Sequence, residues 1–119
     1  DPLEITAKIL KNLKKYMTAG PVIVMVWEGA HAVELVRKIT GGTEPRGASV
    51  GTIRGDFVVD SYIMSDTDDR AVRNLIHGSG SVEEANMEIP HWFDNGELID
   101  YKVSREDILY EKELSGILP

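Results

Sequence analysis

The chain has 119 residues, a formal net charge of −7 and no cysteine. Its length predicts one domain, 1–119, able to bury a single core. The missing cysteines exclude a disulfide framework, a thiolate metal site and a cysteine nucleophile, and the acidic balance argues against a general nucleic-acid binder. No apolar run approaches the roughly 18 residues of a membrane span. The opening Asp1-Pro2-Leu3-Glu4 lacks the basic and apolar regions of a secretory leader. A cytoplasmic domain with no membrane contact is expected. Residues 1–60 carry eight Lys/Arg and seven Asp/Glu, whereas residues 61–119 carry five and thirteen. An anionic ligand therefore needs a local cluster of arginines, and Arg37, Arg46, Arg54, Arg70 and Arg73 are available.

Leu3, Ile9, Leu10, Leu13, Tyr16 and Met17 fall at helical spacing, with Lys8, Lys11, Lys14 and Lys15 on the other, solvated face. Gly20-Pro21 stops that helix. Val22-Ile23-Val24-Met25-Val26-Trp27 is an unbroken, mostly β-branched run and predicts a central strand buried on both faces. A second helix is expected from Ala30 to Ile39, with Ala32, Val33, Val36 and Ile39 inward and Arg37 in its last turn. Four glycines and a proline between Gly41 and Gly51 predict a long loop. Arg54 then lies in a glycine-flanked turn. Phe57 begins a short strand, Ser61 to Asp69 makes an acidic surface excursion, and Ala71 to Ile76 returns inside through a turn of helix and a short strand. Ser81 and Glu84 have the spacing of a capping box. The helix they open should bury Val82, Ala85 and Ile89, and Pro90 should end or kink it. Leu98 to Tyr101 reads as a strand or an extended arm, within a final stretch of weak periodicity.

The three histidines, His31, His77 and His91, share no ligand spacing, so a protein-bound metal site is not expected. There is no P-loop, and Gly78-Ser79-Gly80 is one residue short of a nucleophile elbow. His77 precedes a glycine kink and a helix start whose N–H groups attract phosphate. Residue types alone leave two readings. It is a core histidine bonded to backbone, or a nucleophile toward phosphorus oriented by Glu84 or Glu88. Arg54 likewise either pins its loop to Asp56 or another carboxylate, or clamps phosphate oxygens. Thr43 and Asn74 are ordinary turn residues or polar ligands.

In their order these residues resemble nucleoside diphosphate kinase. The similar stretches are Tyr16-Met17-Thr18-Ala19-Gly20-Pro21-Val22 leading to Met25-Val26-Trp27-Glu28-Gly29, then Thr43-Glu44-Pro45, then Gly51-Thr52-Ile53-Arg54-Gly55-Asp56-Phe57, and finally Asn74-Leu75-Ile76-His77-Gly78-Ser79-Gly80-Ser81. The resemblance implies an α/β (α+β) fold, a ferredoxin-like sandwich with an antiparallel sheet. It implies ping-pong transfer of the γ-phosphate from a nucleoside triphosphate such as ATP to a nucleoside diphosphate. His77 matches the phosphorylated nucleophile, and Ser79 and Glu88 match residues that support it. Arg37, Thr43 and Arg54 match residues that hold the phosphates, and Asn74 one that bonds the ribose. Mg²⁺ would be carried by the nucleotide, with no protein cage, and the Gly41–Gly51 loop implies a homo-oligomer, a hexamer or a tetramer. Three departures stand out. The family's opening strand–helix–strand, with its active-site lysine, has no counterpart. A stretch around Asp60 to Asp69 is inserted. Gly80 replaces an acidic residue. The rival readings are a non-catalytic fragment or oligomerisation module that keeps the fold, and a phosphohistidine carrier that serves a protein partner.

Overall fold

A computed structural model of the protein describes residues 1–110. Helix α1 spans Pro2–Met17 and starts as its sequence dictates, with Pro2 in the first turn and the Asp1 carboxylate accepting the N–H of Leu3 at 3.1 Å. The residues that tie α1 to the rest are Lys8, Asn12 and Tyr16, one above the other at i, i+4 spacing. Lys8 pairs with Asp69 at 2.9 Å, Asn12 donates to the Asp69 carbonyl at 3.2 Å, and the Tyr16 hydroxyl accepts the N–H of Leu75 at 3.1 Å. The apolar stripe of α1 stays exposed.

Helix α2 covers Ala32–Thr40, displaced slightly from the expected Ala30 to Ile39. Ala32, Val33, Val36 and Thr40 face inward, whereas Ile39 is exposed, contrary to its predicted place. The Gly41–Gly51 loop contains one turn of 3₁₀ helix, Pro45–Gly47. Helix α3, Ile53–Phe57, carries Arg54, so that residue sits in a helix and not in the expected open turn. The Thr52 hydroxyl caps α3 by accepting from Gly55 at 3.1 Å and donates to the Ser49 carbonyl at 2.6 Å. A Cβ on Gly55 would overlap that carbonyl, so glycine is required by close approach.

The predicted acidic excursion is helix α4, Tyr62–Thr67, capped by Ser61 Oγ accepting from Met64 at 3.2 Å. Helix α5 runs Val82–Trp92 from the Ser81 cap, and Pro90 lies inside it without ending it. Placed in the last turn, that proline removes a single backbone donor. Val82 is exposed and no residue of α5 is fully buried, which corrects its predicted core face. The short α6, Glu106–Leu109, precedes Tyr110, whose hydroxyl accepts the N–H of Ala30 at 2.9 Å. The part of the weakly periodic final stretch beyond Tyr110 lies outside the described residues.

The expected antiparallel sheet is overturned: the described residues contain no strand. Val22–Trp27 is without regular structure and exposed, Ile23 by 89% and Trp27 by 57%, not a strand buried on both faces. Leu98–Tyr101 and the residues after Phe57 are likewise unpaired. A β-branched run sets a local preference, but a strand exists only through hydrogen bonds to a neighbour, and no described segment lies alongside in a ladder. The expected apolar core fails with the sheet. Among the described residues Pro45 is the one apolar side chain that is buried; the other buried side chains are Thr40, Arg54, Asp60, Ser61 and Ser65. The interior that positions the site is therefore largely a polar one, and it holds by hydrogen bonds.

Candidate active site

The end of α2, the loop after it, α3 and the segment before α5 enclose a cleft of about 350 Å³. Arg37, Thr43, Arg54, Asn74 and His77 all line it, together with Thr40, Gly41 and Glu84. Five residues singled out from four separate parts of the sequence thus meet on one surface. Ser79 and Glu88 stand behind His77 as its hydrogen-bonded support.

His77 projects from the α5 side with 69% of its side chain exposed. Its Nε2 lies 3.1 and 3.2 Å from the two oxygens of Glu88, which is itself held by the Ser79 hydroxyl at 2.6 Å. An ionised carboxylate can only accept, so Nε2 carries the proton and Nδ1 keeps its lone pair. The Ser79 hydrogen bond, and after it the bond to His77, hold Glu88 below the usual carboxylate range. Gly78 permits the close packing of this segment on α2, since a Cβ there would stand 3.2 Å from Val36.

Arg54 is 93% buried, only 7% exposed, and its guanidinium is shared among three carbonyls. Nε donates to Asn74 at 3.2 Å, Nη1 to Gly41 at 3.1 Å and Nη2 to Ile76. It does not pair with Asp56, whose carboxylate instead accepts the N–H of Gly51 at 2.8 Å. Burial, and then the nearby charge of Arg37, lower its pKa from the ordinary guanidinium value. With five N–H groups on a guanidinium, two remain for a ligand in the cleft.

Sequence reasoning missed two features. Leu75 has φ 68, and the N–H of Ile76 bonds back to the Asn74 carbonyl at 2.8 Å, which makes a tight turn of the rare positive-φ kind. No residue signal marks a leucine for that conformation; the signal is Tyr16, whose hydroxyl holds the Leu75 N–H. Second, the N–H of Gly80 is occupied by Glu84 at 2.7 Å, while Glu84 donates its own N–H to Ser81 at 3.1 Å. Of the two glutamates weighed as partners for His77, Glu88 takes the histidine and Glu84 the helix start.

The profile of the nucleoside diphosphate kinase family matches residues 5–98. The chain belongs to that family. It is 47% identical over 100 residues to nucleoside diphosphate kinase of Pyrobaculum aerophilum, covering 84% of this chain and 55% of that one. It is 48% identical over 100 residues to nucleoside diphosphate kinase B of Rattus norvegicus, covering 84% and 59%. The chain thus spans little more than half the length of these relatives. Among solved structures, the NDP kinase of Pyrobaculum aerophilum aligns with a TM-score of 0.81 at 48% identity, over 84% of this chain and 55% of that one. The Halobacterium salinarum enzyme, solved in complex with CDP, aligns with a TM-score of 0.72 at 37% identity, over 87% and 62%. The backbone follows the path of these family structures even though its described extended segments form no ladder.

Proposed function

We propose that this chain moves the γ-phosphate of a nucleoside triphosphate to a nucleoside diphosphate through a phosphohistidine on His77. The observation that carries the reading is the Nε2–Glu88 contact. It leaves Nδ1 as the free nucleophile at the edge of a cleft lined by two arginines. In the first half-reaction the Nδ1 lone pair forms the N–P bond as the bond from γ-phosphorus to the bridging oxygen breaks, and the diphosphate leaves with that electron pair. The imidazolium formed on phosphorylation is stabilised by Glu88, whose charge Ser79 keeps in place. In the second half-reaction a terminal oxygen of another nucleoside diphosphate attacks the phosphorus, and the electron pair of the N–P bond returns to Nδ1.

Arg37, the two remaining N–H groups of Arg54 and the Thr43 hydroxyl are suited to phosphate oxygens, and Asn74 to the ribose. Mg²⁺, when bound, neutralises phosphate charge. A cleft lined by Arg37 and Arg54 repels a free cation and suits an ion held on the nucleotide's own oxygens. Support for a nucleotide ligand also comes from the Halobacterium salinarum relative, solved with CDP. Assembly as a homo-oligomer through the Gly41–Gly51 loop, where Val50 is 94% exposed, belongs to the same reading, as does a place in the cytoplasm.

Incubation with ATP labelled at the γ-phosphate tests the reading. The wild-type protein should acquire an acid-labile, base-stable label that added GDP removes as GTP. Labelling no greater than that of His77→Ala would falsify it, and label that passes to a protein but not to GDP would assign the chain to phosphorelay chemistry.

A further inference from the structure

The Asp60 carboxylate is 8% exposed and receives four donors. Arg70 grips it with both arms, Nη1 to Oδ2 at 2.7 Å and Nη2 to Oδ1 at 3.0 Å. The N–H of Ser61 reaches Oδ1 at 2.9 Å and the N–H of Arg73 reaches Oδ2 at 2.7 Å. The Asp60 carbonyl accepts the N–H of Arg46 at 3.1 Å, and the Glu44 carboxylate reaches across to the N–H of Tyr62 at 3.0 Å. One residue therefore fastens two walls of the cleft. Its side chain holds the residue before Asn74, and its main chain holds the loop that carries Thr43. Asp60 and Arg70 do not themselves line the cleft.

We infer that the Asp60–Arg70 pair is a positioning element which sets the distance between Thr43 and Asn74, and through it the affinity for a substrate whose phosphate meets the Thr43 wall while its ribose meets the Asn74 wall. The inference rests on the kinase reading above. It gives a purpose to α4 and its flanks, which lie between the motif stretches that carry the resemblance. A two-armed arginine–carboxylate pair is planar and directional, and burial protects it from screening by salt. Replacing such a pair by apolar residues can preserve stability, but it would leave the Arg73 N–H without an acceptor and the Asn74 wall free to move. His77 is held separately by Glu88, so its reactivity toward a donor with no nucleoside is independent of the pair.

The test compares two phosphoryl donors on the full chain, ATP and phosphoramidate, the latter having no ribose or base. His77→Ala supplies the blank for labelling at other histidines. In Asp60→Asn and Arg70→Gln the KM for ATP should rise about tenfold, with labelling by phosphoramidate within about twofold of wild type, since His77 keeps its support. Arg70→Lys, which retains the charge and one arm, should recover part of the loss. Should Asp60→Asn fail to fold, Arg70→Gln decides, because it leaves the carboxylate beneath Arg73. An unchanged KM for ATP, or an equal fall with both donors, overturns the inference while the kinase reading stands. A wild-type protein labelled by phosphoramidate but not by ATP overturns both.

Discussion

Arg54 donates through Nη2 to the carbonyl of Ile76, the residue immediately before His77. With its bonds to Gly41 and Asn74, this ties α3 to the end of α2 and to both sides of the Leu75 turn. The pinning role and the phosphate-clamping role, posed as alternatives for this arginine, are thus compatible. Three N–H groups serve the first and two are left for the second.

Arg54→Ala should therefore fail on both counts. Loss of a charge-assisted clamp on the transferring phosphate lowers the rate of His77 labelling on the order of 10²–10³-fold. Leaving buried carbonyls without donors costs about 1–3 kcal/mol of stability, measurable by urea unfolding. A variant less stable but near normal in rate would confine Arg54 to pinning.

Ser79→Ala should shift the acid limb of folding stability. Ser79 is the main cause of the lowered Glu88 pKa, ahead of His77. A depressed carboxylate pKa gives a contribution that is complete above the ordinary glutamate value of about 4.3 and is lost as pH falls through the lower folded value. Without Ser79 the folded pKa moves back up, so this contribution to stability shrinks and begins to fail at a higher pH, as urea unfolding across pH would read. Glu88→Gln, which removes the charge altogether, should flatten that stability limb and lower the labelling rate on the order of 10²-fold. Identical pH profiles for wild type and Ser79→Ala would show that Glu88 does not control the limb.

Leu75 supplies a test of stored strain. A leucine at φ 68 costs roughly 1–2 kcal/mol, and this one is 60% exposed, so little packing opposes its replacement. Leu75→Gly relieves the backbone but adds freedom to the unfolded chain, and the two effects, each about 1 kcal/mol, nearly cancel. Leu75→Val, β-branched at the same φ, should be less stable than wild type by about 1–2 kcal/mol. Urea unfolding of the pair measures the difference, and a valine variant as stable as wild type would show the turn to be unstrained.

The residues of the cleft were legible because their types are unusual for their settings. A histidine before a glycine kink, an arginine among glycines and an arginine in the last turn of α2 each carry a local signal, and the resemblance joined them. Val22–Trp27 predicts a strand and the resemblance a sheet, but β-branched side chains state a preference and cannot state whether a neighbour is present. The polar interior was invisible for a different reason. Asp60 and Arg70 have no spacing that distinguishes a buried pair from surface charge, and in the polar stretch between them only Ser61, an ordinary helix cap, signals α4. Glu84 and Glu88 lie one turn apart on the same face. The Gly80 N–H takes Glu84 and the Ser79 hydroxyl takes Glu88, which leaves Glu88 to reach the histidine.

That glycine leads to a prediction of opposite sign to the others. Glu84 puts a negative charge on the lip of a cleft proposed to receive a polyphosphate, and it occupies the Gly80 N–H at the start of α5. Removing the charge should help the substrate: Glu84→Gln lowers the KM for ATP about two- to threefold at low salt, with the effect fading as salt screens an exposed group. Gly80→Ala should act in the same direction. Its Cβ would stand 2.7 Å from Glu84 Oε2, which forces the carboxylate away and frees an N–H group at a helix start for phosphate. Initial rates at several ATP and salt concentrations give both values. A higher KM in Glu84→Gln would mean that the carboxylate contacts the substrate favourably and is not in competition with it.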